Sequence, residues 1–383
     1  MTRGPVAEVD LSAIAHNLHT IRKIVKDRPV IAVVKADAYG HGAIEVSKKL
    51  LEEGISYLAV AFTGEAKELR NAGINVPIIV LFDRAEIKDF FDLQLIPVIS
   101  NTETALSLSN EAKKRTAIIK VHIKIDTGMG RLGLNGHDVF KEIITISKMP
   151  YIEIEGLLSH FSEADLSDRS FANQQLERFN AVRESISKKI KRKIFSHIAN
   201  SAAVLTFEES HLDAVRPGIM LYGYSPIKSM ERRAKSRESE KNKPQAIDLI
   251  PAMTIKNRLL YIRNVPSGTP VSYGRTFITK RQSRIGVLAI GYADGYSRLF
   301  SNKAEVLVRG KRAPIVGRVC MDLTMIDLTD IEEARENDEV VIIGQQGDEK
   351  ITADELADKA NTISYEILTS LGNRSRRIYV ENH

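Results

Sequence analysis

Apolar positions along the first 225 residues switch repeatedly between a helical and a strand-like rhythm. From Ser12 to Lys26, the residues Ile14, Leu18, Ile21 and Val25 recur at helical spacing, with Asp10 and Ser12 as candidate caps. VIAVVKA (30–36) then reads as a buried strand, followed by a helix over 42–52. The alternation continues through YLAVA (57–61), PIIVLF (77–82), LIPVIS (95–100), AIIKVHIKI (117–125), IEIEGLLSH (152–160), KIFSHIA (193–199) and AVRPGIMLYG (214–223). Counting the first, these are eight strands with a helix-like segment between successive ones. Strands alternating with helices predict parallel pairing through right-handed crossovers. Eight such units over roughly 220 residues fit a (β/α)8 TIM-type barrel better than an open sheet, and functional groups then gather at the C-terminal strand ends.

Beyond Pro251 the pattern changes to short β-rich runs broken by Gly and Pro: MTIKNRLLYI, RIGVLAIGYA, AEVLVRG, RAPIVGRV and EVVIIGQQG, with one helix expected near 353–361. The predicted organisation is a barrel over 10–240 followed by a mostly-β C-terminal domain over 241–383. A chain of 383 residues is long enough for two cores. Hydrophobic residues at 43% and charged residues at 27% fit a globular protein. No apolar run approaches the roughly 20 residues of a membrane span. The N-terminal stretch carries Glu8 and Asp10 where a signal peptide needs an apolar core, so a cytoplasmic location is expected. The single cysteine, Cys320, excludes intramolecular disulfides and a Cys-rich metal site, and no metal is expected.

The net charge of +6 does not imply nucleic acid, because the stretch 228–243 holds seven Lys/Arg against three acids, a net +4. The rest of the chain is near neutral and lacks Trp. The charged stretch reads as a solvated loop or as a partner-binding patch.

Chemistry-bearing residues fall at the strand ends. Lys35 closes an apolar strand in VVKADAYGHG; it either snorkels to solvent or serves as a Schiff-base lysine. In KVHIKID the side chains alternate, so Lys120, His122, Lys124 and Asp126 share one face opposite Ile119, Val121, Ile123 and Ile125. That is an edge strand with a wetted face, or a polar barrel interior built for a site. The TGMGRLG turn carries Arg131 beyond it. In LLSHF the strand ends with His160, which alone reads more often as a structural histidine. SHIANSAA brings His197, Asn200 and Ser201 to a strand-to-helix junction, and VRPGI brings Arg216, Gly218 and Ile219 to the eighth strand. Both suit the place where barrels bind phosphate. In the second domain VSYGRTF offers Tyr273, and GRVCMDLTMID offers Cys320, Met321 and Asp322. Taken singly, these four residues read as turn or packing positions.

Together, VVKADAYGHG, KIDTGMGRLG, LLSHF, HIANSAA, RPGIMLYG, VSYG, IGYADGY and GRVCMD resemble alanine racemase, in the family's order over nearly the whole chain. The resemblance implies a pyridoxal 5'-phosphate enzyme that interconverts L- and D-alanine and supplies D-alanine for peptidoglycan. It also implies a homodimer sharing its active sites between subunits, and a first strand (6–10) packed with the β domain. Carried over by motif, Lys35 binds the cofactor and acts as one base, and Tyr273 of the other subunit is the second. Arg216 faces the pyridine nitrogen, His160 lies against the ring and His197 orients Arg216. Tyr39, Asn200, Ser201, Gly218, Ile219 and Tyr365 belong to cofactor binding, and Arg131 and Met321 to substrate binding. Lys124 matches a position often carbamylated, and Cys320, Asp322 and Tyr292 are supporting. The alternatives are a racemase of broader or serine specificity, a decarboxylase of the same architecture and a non-catalytic cofactor-binding barrel. Decarboxylases of this type place an acid where Arg216 stands, and cofactor-binding barrels lack a β domain.

Overall fold

The computed structural model describes residues 4–82, 86–135, 138–227, 247–371 and 375–382; the charged stretch 228–243 and the boundary expected near 240 lie outside them. The chain divides into two compact units, Ala15–Ala38 with Ala43–Leu249, and Met1–Ile14 with Tyr39–Gly42 and Ile250–His383.

The chain opens with strand β1 (Val6–Asp10), and the barrel unit holds β2 (Ile31–Val33), β3 (Tyr57–Val60), β4 (Ile78–Val80), β5 (Ile96–Ile99), β6 (Ile119–Lys124), β7 (Ile152–Leu158), β8 (Phe195–Asn200) and β9 (Ala214–Arg216). Strands β2 to β9 form one parallel sheet in sequence order. It closes through a parallel bridge between Val30 and Val215, with Val33 N–H donating to Pro217 O at 3.2 Å. Strands β2, β4 and β5 are short Val/Ile-rich runs buried throughout, as expected where helices cover a parallel sheet. The helices start where local chemistry satisfies their first amides. Asp10 Oδ1 accepts from Ser12 N, Asn101 from Thr104 N, and Asn200 from Ala203 N. Ser12 lies inside its helix (Leu11–Val25), so Asp10 alone of the two candidates is the cap.

Strand β6 pairs with an irregular neighbour. Its pairing with β7 advances from Val121↔Ile154 to His122↔Gly156, so Glu155 is one extra residue on β7, a bulge. Of the four polar residues expected on one face, His122 and Lys124 are buried. Lys120 is exposed and ion-paired with Glu155, and Asp126 lies past the strand, its carboxylate accepting from the Gly128 and Gly130 amides.

In the β-rich unit, strands β10 (Met253–Val265), β11 (Pro270–Val271), β12 (Phe277–Ile278), β13 (Ser283–Leu288), β14 (Glu305–Val308), β15 (Lys311–Pro314), β16 (Thr324–Asp327), β17 (Glu339–Gln346), β18 (Glu349–Ile351) and β19 (Arg376–Val380) are joined by β1. β1 runs antiparallel to β10 and parallel to β19, so the N-terminal strand completes this unit's sheet. A small core of Val265, Val271, Ile285 and Val316, with Phe277 and Met325 against it, supports the β11–β12 hairpin. Besides the helix Ala353–Ala360, a second helix, Ser364–Leu371, carries Tyr365; the sequence pattern did not separate it.

Candidate active site

Lys35 stands two residues past β2, where the backbone makes an unusual turn. Ala36, Asp37, Ala38 and Tyr39 all have φ between 51° and 54°, a left-handed turn of helix built without glycine. Such residues cost about 1–2 kcal/mol each, so neighbouring contacts must hold them. The Ala36 amide donates to Glu65 Oε1 at 2.6 Å, and the Ala38 amide donates to Val34 O at 2.9 Å. Asp37 Oδ1 accepts from Ala43 N at 2.7 Å, and Glu65 Oε2 accepts from the Ala61 and Phe62 amides. Glu65, which the sequence did not single out, thus pins the Lys35 turn to the end of β3.

Lys35 shares a ring with two other cations. Its Nζ lies 5.4 Å from the centroid of Phe82, Lys124 Nζ lies at 5.0 Å, and Arg131 Cζ at 5.3 Å. Cation–π attraction contributes roughly 0.5–2 kcal/mol per pair, and the like charges repel. Burial and Arg131 lower the Lys35 pKa, against a smaller raising effect from Glu65. Burial, Arg131 and Arg216 bring Lys124 down to about 8. This end of the barrel suits an anionic ligand and keeps its lysines easier to deprotonate than free ones. His160, half-buried at the end of β7, is held well below its ordinary pKa by burial and then by Arg216, Arg131, Lys124 and Lys35; it is neutral near pH 7.

Arg216, at the end of β9, is buried. NH1 donates to His197 Nδ1 at 2.5 Å and His197 O at 2.7 Å; NH2 donates to Ser159 O at 2.6 Å and Ile198 O at 3.2 Å. Burial lowers its pKa to about 9, so the guanidinium stays charged at neutrality. Of its five donors, only Nε–H makes no hydrogen bond among the described residues. Thr127 and Ser159, whose hydroxyls meet at 2.8 Å, line the strand ends beside it and were not foreseen.

At the β8 end, Asn200 and Ser201 open a six-residue helix, Ser201–Thr206. Asn200 is its cap, and Ser201 Oγ accepts from Gly218 N at 2.9 Å. The hydroxyl therefore ties the seventh and eighth strand ends together. Ile219 begins a 3₁₀ turn and is buried.

The remaining candidates belong to the β-rich unit. Tyr39 is buried there with its ring 5.9 Å from that of Tyr365, and burial raises its phenol pKa. Gly40, at φ +86°, leaves no room for a Cβ, which would come within 2.4 Å of Leu368 O. Tyr273 is 68% exposed. It follows Ser272, whose φ of 64° is held by a 2.6 Å hydrogen bond from its hydroxyl to Arg318 O. Ser272, Tyr273, Cys320, Met321, Asp322 and Leu323 line a cavity of about 450 Å³. Tyr292 borders the same segment, its amide donating to Cys320 O at 3.0 Å, and Gly291 must lack a side chain because Met321 O would lie 2.2 Å from a Cβ. The structure thus gathers the candidates in two groups. Lys35, Lys124, Arg131, His160, His197 and Arg216 lie at the barrel's strand ends, and Tyr273, Cys320, Met321 and Asp322 surround a cavity of the β-rich unit.

Residues 9–226 match the family "Alanine racemase, N-terminal domain", and residues 252–379 match "Alanine racemase, C-terminal domain". An alanine racemase of Thermodesulfovibrio yellowstonii is 49% identical over 99% of both chains. Among solved structures, alanine racemase from Bacillus anthracis with bound L-Ala-P superposes with a TM-score of 0.88 at 38% identity, covering 100% of this chain and 96% of that one. Alanine racemase from Bartonella henselae with covalently bound pyridoxal phosphate gives 0.86 at 31% identity, covering 99% and 100%. With both halves matched in order and close relatives aligned end to end, the chain belongs to the alanine racemase family.

Proposed function

We propose that this chain interconverts L- and D-alanine using pyridoxal 5'-phosphate bound through Lys35. The observation that carries this reading is the Lys35 amine at the barrel's strand ends, its pKa lowered by burial and by Arg131, in a member of this family. Similarity to structures holding L-Ala-P and covalently bound pyridoxal phosphate supports the substrate and the cofactor.

The residues present fit the cofactor. A lysine amine of lowered pKa suits an aldehyde, and the cluster of Lys35, Lys124 and Arg131 suits an anion. Arg216 Nε–H is a donor with no protein partner among the described residues, suited to an aromatic nitrogen. Ser201 Oγ, the Gly218 and Ile219 amides, Tyr39 and Tyr365 would hold the phosphate, with the Gly218 bond to Ser201 exchanged for one to the ligand. Asn200 contributes by capping the helix that presents Ser201. When bound, the cofactor carries the substrate amine and accepts electron density from the Cα–H bond.

Racemisation needs one group to remove the α-proton and another to return one from the opposite face, each within about 3–3.5 Å of Cα. Lys35 takes one role. Tyr273, exposed on the β-rich unit, takes the other when contributed by a second copy of the chain, so the working form is a homodimer. Arg131 binds the substrate carboxylate, helped by the Met321 backbone. Arg216 would remain cationic and donate without surrendering its proton, so a ring nitrogen facing it would be a weaker electron sink, with fewer side reactions. A decarboxylase-type acid is not found at this position. His160 would line the cofactor's place as a neutral imidazole.

Lys124, at a pKa of about 8, has roughly one-tenth of its amine unprotonated at pH 7, enough to capture CO2 as a carbamate. That would replace a crowding cation by an anion that orients Arg131. Cys320, Asp322 and Tyr292 shape the loop that presents Met321. Among the described residues no helix is long and apolar enough to cross a membrane, which is compatible with the cytoplasmic location that we propose.

The test is racemisation by purified protein of alanine, serine and lysine side by side. Turnover of alanine well above the other two is expected; no turnover of any of them, with the cofactor bound, overturns the reading.

A further inference from the structure

The barrel interior contains a hydrogen-bonded chain that runs from Arg216 to a carboxylate on the far side of two histidines. Arg216 NH1 meets His197 Nδ1 at 2.5 Å, His197 Nε2 meets His122 Nδ1 at 2.9 Å, and His122 Nε2 meets Glu155 Oε2 at 3.3 Å. Both imidazoles are fully buried. Glu155 is 17% exposed, and its second oxygen accepts from Lys120 Nζ at 2.9 Å.

The direction of every proton follows from the arginine. A guanidinium only donates, so His197 Nδ1 must offer its lone pair and a neutral His197 carries its proton on Nε2. That proton can point only at His122 Nδ1, which must also be a lone pair, leaving the His122 proton on Nε2. The chain then needs a terminal acceptor, and Glu155 is that acceptor. Reversing any link places two donors or two lone pairs face to face in a dry interior, which is costly.

Two features of the backbone favour this contact. Glu155 is the extra residue of the β7 bulge, the irregularity that re-aims its side chain. Its neighbour Gly156 lies opposite His122, and a Cβ there would come within 2.7 Å of the imidazole.

We propose that Glu155 and His122 are positioning residues for the reaction: through His197 they fix the proton arrangement that holds Arg216, and with it the orientation of the free Nε–H donor. This rests on the reading that Arg216 Nε–H serves the cofactor's ring nitrogen. Glu155 touches neither substrate nor cofactor. Its loss lets His122 turn its proton toward His197, and the misalignment passes to the guanidinium.

The experiment is histidine ¹⁵N NMR of the holoenzyme, read beside the cofactor's visible absorption and steady-state kinetics. In the wild type, His122 and His197 should each show a protonated Nε2 and a bare Nδ1; a protonated Nδ1 on either ring overturns the proposal. Glu155→Leu removes the acceptor and should change both tautomer signals, shift the absorption maximum and lower kcat/KM by about 10–100-fold, the range for partners behind a ligating histidine. Glu155→Gln keeps an acceptor and should recover the wild-type tautomers and most of the activity. A folded Glu155→Leu protein with unchanged histidine signals and absorption overturns it. Should that variant fail to fold, Glu155→Gln decides: losing the charge must move the His122 Nε2–H resonance, and no movement overturns the proposal. A wild type without cofactor absorption or alanine turnover would instead sink the functional reading while leaving the histidine spectra to be judged separately.

Discussion

Gly156 on β7 faces His122 on β6 so closely that a Cβ on the glycine would lie 2.7–2.8 Å from Cε1, Nε2 and Cδ2 of the imidazole. Backbone and ring are both buried, so neither can move into open space. Gly156→Ala is expected to lower unfolding free energy by about 1–3 kcal/mol, the range for overpacked cores. Chemical denaturation measures this, and a midpoint equal to the wild type's would contradict the contact.

Lys35→Ala should abolish the visible absorption of the bound cofactor. Tyr273→Phe should retain it yet fail to exchange the α-proton of one alanine enantiomer in heavy water. Full racemase activity in either variant is incompatible with the two assigned roles.

A site shared between subunits, as proposed, predicts a complementation. Neither Lys35→Ala nor Tyr273→Phe alone has an intact site, but a mixed dimer has one site with both native groups and one with neither. Unfolding and refolding an equal mixture should restore about a quarter of wild-type activity by random pairing in a two-fold symmetric dimer. If both groups serve the site of their own subunit, the mixture stays inactive.

Lys124 makes stability depend on pH. Its folded pKa of about 8 lies below the ordinary 10.5, so the folded state binds this proton more weakly than the unfolded one. The resulting penalty is full below about pH 8 and disappears as pH rises toward 10.5. In CO2-free buffer Lys124→Met should therefore be more stable than the wild type at pH 7, by up to about 3 kcal/mol, with the gap closing above pH 10. Added bicarbonate should narrow the gap at pH 7 by converting the amine to a carbamate, and native mass spectrometry should then find one CO2 on the wild type. A gap that is constant with pH would contradict the assignment to this lysine.

Much of the barrel is legible along the chain because several of its buried parallel strands are local runs rich in Val and Ile. Ile31–Val33, Ile78–Val80 and Ile96–Ile99 fall inside the runs that predicted them, though each is shorter at its ends. The candidates Lys35, His160 and Arg216 lie at or just past strand ends, since those ends follow from the same runs. The second helix of the β-rich unit, Ser364–Leu371, was lost because only a three-residue gap separates it from its neighbour. Lys120 and His122 reach the same Glu155 carboxylate, as their shared face requires, while Asp126 falls outside the pattern because β6 ends at Lys124.

Other relationships have no local signature at all. Phe82 ends an ordinary apolar run, and only barrel closure collects Lys35, Lys124 and Arg131 around its ring. Glu155 looks like a solvent-facing carboxylate in IEIEG until the bulge turns it to His122. Tyr39–Gly42 reads as part of the barrel's first loop yet clusters with the β-rich unit, where Gly40 O accepts from Arg377 Nε at 2.9 Å.

From the order of residues alone came the alternation of strands and helices, the change of rhythm after Pro251 and the motifs that hold the reactive groups. These are properties of neighbours, written in periods of two and of three to four residues. Which groups meet was settled by closing the sheet and by the bulge on β7. The proton order from Arg216 to Glu155 exists because donors and acceptors far apart in the chain are forced together where water cannot satisfy them.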